Sequence, residues 1–125
     1  MKVAELISIV NGKLLSNGAS ELDREIKGAF CADLMSDVLA SIQPEAVLLT
    51  GLCNPQVIRT AQVADVAAVV LVRGKLPPSD TITLANQEKI PLISSPFGMY
   101  ELSGRLFVAS LPSLEGRIID GQCEC

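Results

Sequence analysis

Ala67-Ala68-Val69-Val70-Leu71-Val72 is the stretch that decides the fold of this chain. All six residues are apolar and three are β-branched, and the run is bounded by Asp65 on one side and by Arg73-Gly74 on the other. A short, continuously apolar run of this kind is typical of a strand buried on both faces. The sequence therefore predicts a central parallel strand at this position.

Two further apolar runs, residues 46–50 and 90–94, lie on either side of this strand. The segments between the three runs, 55–65 and 79–89, have the length of helices. Parallel neighbours need a crossover connection, and a helix that makes the crossover lies against the sheet. The pattern predicts an α/β domain with a layered, mixed, mainly parallel sheet flanked by helices.

The N-terminal part adds a helix and two strands to this plan. Val3, Leu6, Ile7 and Val10 form the apolar stripe of a short helix, which Asn11-Gly12 ends. Residues 13–16 and 22–32 are expected to be extended and to join the sheet as antiparallel or mixed strands.

Three more helix starts follow from capping residues. Asp33 is expected to cap a helix whose Leu34, Val38, Leu39 and Ile42 share one face. Asn54-Pro55 and Ser95-Pro96 each pair a strong N-cap residue with proline at the first helical position. The second pair predicts a last helix within residues 97–111.

Length and composition limit the kinds of partner. With 125 residues, we expect one domain, residues 1–111, and a C-terminal tail, residues 112–125. Four aromatic residues, a net charge of −4 and a pI near 4.7 argue against a nucleic-acid partner. No stretch is long enough to span a membrane or to act as a signal peptide, so we expect a cytoplasmic protein with reduced cysteines.

Ligands of open α/β sheets bind beyond the carboxyl ends of the parallel strands, where helix N-termini present free N–H groups. A small anion or a nucleotide could fit such an edge, with an arginine supplying charge. The alternative is that the polar residues and glycines at this edge are only the helix caps and turn residues that any α/β fold has there. The candidate ligand-binding residues here are Thr50, Gly51, Asn54, Arg73, Gly74, Ser94 and Ser95.

Two short motifs that contain aspartate have alternative interpretations. Asp23 and Arg24 could form a ligand clamp, or they could form a salt bridge at the entry to a strand, since adjacent residues of extended chain point to opposite faces. Asp33 and Asp37, one helical turn apart, could bind a metal or could be a cap and a first-turn acid.

The four cysteines do not define a metal site. Cys31, Cys53, Cys123 and Cys125 could supply thiolates, but the chain has no histidine and the Cys-x-Cys spacing is not the usual knuckle. We assign no metal, no cofactor and no catalytic residue. We expect the Cys123 and Cys125 thiols to be reactive and Cys31 to be shielded.

The order of several motifs resembles that of the DRTGG-domain family. Asp23, Arg24 and Gly28 are present from the signature that names the family. The other matching pieces are 33–39, Thr50-Gly51 with Gln56, 67–74, 90–96 and 104–106.

This resemblance implies a fold like the N-terminal domain of HPr kinase/phosphorylase. Members occur in phosphotransacetylases, beside CBS domains in regulated pyrophosphatases, and alone near redox enzymes such as hydrogenases, where they look like regulatory or dimerising modules. The resemblance supplies no reaction, and Gly74-Lys75 lacks the upstream glycine of a P-loop.

These observations predict a non-catalytic regulatory or adaptor module that forms a homodimer, binds a small ligand such as a nucleotide and associates with a metabolic or redox enzyme. A 49% apolar sequence leaves a surplus apolar surface, expected around residues 34–42 or around Phe97, Tyr100 and Phe107 of the last helix. The alternative is a small accessory enzyme or a thiol or metal redox accessory protein.

Overall fold

The computed structural model describes residues 1–16 and 21–114 of the chain. Strands and helices alternate through most of this length, as the apolar pattern predicts. The helices are α1 (Val3–Ile9), α2 (Met35–Ser41), α3 (Pro55–Val63), α4 (Ser79–Gln87) and α5 (Met99–Val108). The strands are β1 (Lys13–Leu14), β2 (Gly28–Cys31), β3 (Ala46–Thr50), β4 (Ala68–Leu71) and β5 (Leu92–Ser94).

The described residues form one mixed sheet with the strand order β1-β5-β4-β3-β2. β2, β3, β4 and β5 are parallel to their neighbours, and β1 is antiparallel to β5. β4 lies in the middle and is buried along its whole length. The predicted fold class and the central position of this strand are confirmed.

Alternation along the central strands divides the core between the two faces of the sheet. On one face, Val70 packs in a cluster with residues of α1 and α5, such as Leu6 and Leu102. On the other face, Val69 packs with residues of α2, α3 and α4, such as Val38 and Ile58. The sheet is therefore a middle layer between a two-helix layer and a three-helix layer.

Two of the predicted helix starts differ from the structure because their polar side chains bond elsewhere. Ser95 Oγ donates to the carbonyl of Val10 at 2.7 Å, and α5 begins only at Met99 with Gly98 as N-cap. Asp33 accepts bonds from the loop after β3, and α2 begins at Met35. The start of α3 at Asn54-Pro55 is confirmed.

Four of the helices in the described part of the chain end in the same way. A residue in left-handed conformation follows each C-cap: Asn11, Asp65, Lys89 or Ser110. The next N–H then bonds to the carbonyl five residues earlier, for example from Val66 to the carbonyl of Ala61 at 2.9 Å. This is the Schellman motif, formed here without glycine at the left-handed position.

The segment 22–32 is only partly a strand. Residues 21–23 form a turn, and β2 starts at Gly28. On the outer side of β2, Ser113 bridges to Ala29, so that the first residues of the predicted tail run along this strand. Residues 115–125, with Cys123 and Cys125, lie outside the described residues.

Cys31 is exposed, so the prediction that it is shielded is wrong. It lies at the end of β2, which is an edge strand of the sheet. Its Sγ lies 3.2 Å from Ser103 Oγ of α5, and it has a further interaction within the structure. An apolar sequence context predicted burial here, but an edge strand is covered less completely than a central one.

Candidate functional site

The carboxyl ends of β2, β3, β4 and β5 lie along one edge of the sheet because these strands are parallel. The last residues of these strands and the loops that follow them carry seven of the nine residues predicted to bind a ligand. We call this the carboxyl edge. It is defined by Asp33, Thr50, Gly51, Asn54, Arg73, Gly74, Lys75, Ser94 and Ser95.

Asp33 joins the loop after β2 to the loop after β3. Its Oδ1 accepts bonds from the N–H of Gly51 at 2.7 Å and from the hydroxyl of Thr50 at 3.1 Å. Thr50 is fully buried, and its Oγ1 also accepts the N–H of Leu52 at 3.2 Å. The Thr50 hydroxyl therefore holds the loop together and does not face a ligand.

Lys75 closes the same loop from the other side. Its Nζ donates to the carbonyl of Gly51 at 2.6 Å, and its own carbonyl accepts the hydroxyl of Ser94 at 3.0 Å. A Cβ on Gly51 would lie 3.4 Å from both Asp33 Oδ1 and Lys75 Nζ. Gly51 thus lies between a carboxylate and an ammonium group.

Arg73 and Gly74 form a left-handed turn after β4, with φ angles of 58° and 65°. Their N–H groups donate to the carbonyls of Phe97 and Ser95 at 2.8 and 2.7 Å. The turn is therefore fixed against the loop after β5. It leaves the Arg73 side chain exposed at the edge, where it can meet a ligand.

The predicted residues of the carboxyl edge fall into two groups. Thr50, Gly51, Ser94 and Ser95 are buried and form bonds within the protein. Asn54, Arg73 and Gly74 are exposed, and the Asn54 side chain makes no capping bond to α3. The groups that a ligand can reach are thus fewer than the pattern suggested.

Asp23 and Arg24 lie at the opposite edge of the sheet. Arg24 Nη2 is 3.3 Å from Oδ1 of Asp65, which precedes β4 at its amino end. Asp23 Oδ1 is 3.9 Å from Lys2 Nζ. The two side chains have different partners, and the structure does not bring them together with the other seven residues.

Sequence reasoning did not place Asp33 and Lys75 among the ligand-site residues. Asp33 follows the end of β2 by two residues, so a correct strand end there would have placed it at the edge. Lys75 follows Arg73-Gly74 directly. Only the fold shows that its Nζ crosses to the loop after β3.

A second feature is the outward surface of α5. Tyr100, Phe107 and Val108 are 94%, 77% and 84% exposed, whereas Leu102 and Leu106 on the opposite side are buried in the core. With Ser8 and Ile9 of α1 they line an open depression of about 990 Å³. The sequence predicted that Phe97, Tyr100 and Phe107 do not all face the core. Tyr100 and Phe107 are exposed, whereas Phe97 is half-buried and packs against the core. Gly104 and Val108 were not predicted to belong to this surface.

Metal binding gains no support from the described residues. Within 1–16 and 21–114, no three or more cysteine, aspartate or glutamate side chains are grouped so that they could hold a metal ion. In the same ranges, none of the helices is long and apolar enough to cross a membrane.

The described residues form a small α/β domain with a mainly parallel five-stranded sheet between two helical layers. Residues 5–108 match the family model of the DRTGG domain, and the chain belongs to this family. None of the curated proteins matches the chain in sequence.

The chain is similar to a solved structure of the CBS and DRTGG domains of the regulatory region of Clostridium perfringens pyrophosphatase. That structure is complexed with an activator, diadenosine tetraphosphate. The TM-score is 0.67 at 15% sequence identity, and the similarity covers 89% of this chain and 47% of that chain. The chain therefore spans about half the length of this neighbour, and the likeness shows a shared fold.

Proposed function

We propose that this chain is a cytoplasmic regulatory or adaptor module that has no catalytic activity of its own. It associates with itself, binds a small anionic ligand such as a nucleotide, and acts together with a metabolic or redox enzyme. Membership of the DRTGG family supports this proposal, as does the likeness to part of an enzyme's regulatory region.

The observation that carries the proposal is the outward surface of α5. Three large apolar side chains stand in solvent on a helix whose inner side is already buried. An exposed apolar patch on a domain of this size is typical of an interaction surface. A second copy that covers this patch would give the module the self-association on which its regulation depends.

The carboxyl edge supports the ligand part of the proposal. Arg73 supplies an exposed guanidinium, and Lys75 lies beside it on a turn that backbone hydrogen bonds fix. Arginine binds phosphate oxygens in a bidentate manner, and a fixed turn loses little entropy when it binds. A nucleotide phosphate is therefore the group that we place against Arg73.

Side-chain chemistry supports the proposed lack of catalytic activity. The whole sequence contains no histidine, so a cysteine or serine nucleophile has no imidazole as its base. The carboxyl edge offers a carboxylate and two cations, which can bind and orient an anion but do not form a nucleophile and base pair.

Two measurements on freshly purified protein test the proposal. Native mass spectrometry reports the number of subunits and any retained nucleotide, and we expect a dimer. Isothermal titration with ATP, AMP and diadenosine tetraphosphate then compares Arg73→Ala with Arg24→Ala, each of which removes one guanidinium, from opposite edges of the sheet.

We expect Arg73→Ala to weaken binding by about tenfold, because a charge-assisted hydrogen bond is lost, and Arg24→Ala to leave it unchanged. Loss of binding in Arg24→Ala alone would move the ligand to the other edge. No binding of any of the three nucleotides, together with a monomer at every concentration, would contradict the proposed function.

A further inference from the structure

Several lysine and arginine side chains in the described part of the chain form no ion pair with a carboxylate there. Those that do are Lys2, Arg24, Lys27 and Arg105. Those without an ion pair are Lys13, Arg59, Arg73, Lys75 and Lys89. In a protein of net charge −4, a group of neighbouring cations without counter-ions is a place where an anion is attracted. Three of these cations, Lys13, Arg73 and Lys75, lie at the same end of the sheet.

Lys13 is brought to this end of the sheet by the antiparallel strand β1. The register pairs it with Ser94, the last residue of β5. Directly opposite residues of neighbouring antiparallel strands have Cβ atoms about 5 Å apart on the same face of the sheet. The Lys13 side chain, which is exposed, therefore leaves the sheet beside the carboxyl edge.

The turn with the other two cations packs against the end of β5 from the opposite side. Ser94 Oγ donates to the Lys75 carbonyl at 3.0 Å, and the N–H groups of Arg73 and Gly74 donate to carbonyls of the loop after β5. The end of β5 thus lies between Lys13 on one side and Arg73 with Lys75 on the other.

The three charges are spread across the strand ends. Lys75 Nζ is held on the carbonyl of Gly51 at 2.6 Å, beyond the end of β3. β3 and β1 are three strand spacings apart, which is about 14 Å, and Arg73 follows β4 between them. Because the short bond to Gly51 keeps Lys75 Nζ away from Lys13, a single phosphate group does not reach both.

The carboxylate of the carboxyl edge does not neutralise these cations. Asp33 Oδ1 accepts the N–H of Gly51 and the hydroxyl of Thr50, and Asp33 is absent from the ion pairs of the described residues. An ammonium group has three donors, and the bond from Lys75 to a neutral carbonyl uses one of them. The edge therefore keeps a surplus of positive charge and donors for ligand oxygens.

We infer that the carboxyl edge binds a polyphosphate chain, such as that of a nucleoside triphosphate, which lies across the strand ends from Lys13 past Arg73 to Lys75. This inference rests on the proposed function, which places one phosphate against Arg73. Linked phosphate groups offer each cation its own anionic oxygens, and such charge-assisted hydrogen bonds are the strong ones. Lys13 is then a ligand-binding residue that favours a polyphosphate over a single phosphate.

Isothermal titration of the full chain with four probes tests this specificity. The probes are orthophosphate, AMP, inorganic tripolyphosphate and ATP, all without divalent cations. We expect ATP to bind at least about tenfold more tightly than AMP, and tripolyphosphate to exceed orthophosphate by a similar factor. Since exposed charges are screened by salt, both ratios should shrink as sodium chloride is added.

A matched pair of lysine variants tests the position of the chain. Lys89 is exposed and without an ion pair like Lys13, but it follows α4 at the other edge of the sheet. We expect Lys13→Gln to weaken the binding of ATP and tripolyphosphate by about threefold, as one exposed charge pair is lost, and to leave AMP unchanged. Lys13→Arg should restore the affinity, and Lys89→Gln should change neither ligand. Circular dichroism confirms that each variant is folded.

The outcomes separate this inference from the proposed function. Equal affinities for AMP and ATP, or equal losses in Lys13→Gln and Lys89→Gln, overturn the polyphosphate site but leave a single phosphate at Arg73. An ATP affinity that Lys13→Gln does not change has the same consequence. A loss in Lys13→Gln that AMP shares equally would mean that Lys13 contacts the phosphate common to both ligands, and it also overturns the inference. Lack of binding of all four probes overturns the inference together with the ligand part of the proposed function.

Discussion

Asp33 Oδ1 accepts the N–H of Gly51 at 2.7 Å, and this bond connects the loop after an edge strand to the loop after its neighbour. The same oxygen holds the buried Thr50 hydroxyl, while Lys75 holds the Gly51 carbonyl. Both backbone groups of Gly51 are thus bonded to charged side chains from other loops. This arrangement fixes the carboxyl edge near Arg73, which the proposed function places against a phosphate.

We expect Asp33→Ala to lower the free energy of unfolding by about 1 kcal/mol, because an amide N–H and a buried hydroxyl lose their charged acceptor. Urea denaturation measures the change. Asp37→Ala removes another exposed carboxylate from α2 and should stay within about 0.5 kcal/mol of wild type. Equal losses in the two variants would show that charge, and not the bonds to residues 50 and 51, accounts for the effect.

The sheet could be predicted from the sequence because the apolar runs of the central strands have few alternatives. The run 46–50 coincides with β3, and the run 67–72 contains β4. The N-cap at Ser95 could not be predicted correctly, since the competing acceptor, the carbonyl of Val10, is 85 residues away. A local capping rule contains no information about such a distant partner.

The sequence predicted where the candidate site lies better than it predicted how its side chains are oriented and bonded. The rule for parallel strands placed Arg73 and Thr50 at one edge, and they are there. It did not show that Thr50 faces inward or that Lys75 Nζ bonds to the carbonyl of Gly51. Asp23 and Arg24 were interpreted separately, as a ligand clamp or a salt bridge, and their side chains lie at the other edge, where they pair with Lys2 and Asp65.

Lys89 offers a test of the left-handed helix ends. It has a φ of 56° at the end of α4, where a Cβ is unfavourable. We expect Lys89→Gly to be more stable than Lys89→Ala by about 1 kcal/mol, since both variants lose the same charge and only the first relieves the strain. Thermal and urea unfolding measure the difference. The neighbouring pair Glu88→Gly and Glu88→Ala should show the reverse order, because Glu88 has φ −90°.

Lys27 contributes a stability to the fold that is lost at high pH. Its Nζ is 2.6 Å from Glu45 Oε2, and the hydrogen bond to that carboxylate raises the pKa of Lys27 above its ordinary value of 10.5. Because the folded-state pKa is the higher one, the contribution is complete below the unfolded pKa and is lost as pH rises through the folded pKa. Unfolding in urea between about pH 9 and pH 12 should show this loss in wild type.

Lys27→Met serves as the control for that titration. It removes the ammonium group, so the part of the pH dependence that comes from Lys27 should disappear. Glu45→Gln should reduce it as well, because the amide carries no charge. A wild-type curve that stays parallel to that of Lys27→Met over this range would contradict the role of the pair.

Gly28 and Gly104 should respond in opposite directions to the same substitution. A Cβ on Gly28 would lie 2.5 Å from Leu114 Cβ and 2.7 Å from the Pro112 carbonyl oxygen, where backbone must shift, whereas a Cβ on Gly104 meets nothing within 4 Å. We expect Gly28→Ala to lower the free energy of unfolding by about 1 to 3 kcal/mol through overpacking. Gly104→Ala should raise it by about 0.5 to 1 kcal/mol because alanine favours the helix. Urea unfolding at a concentration where the chain is monomeric measures both, and destabilisation by Gly104→Ala would mean that this position is not open.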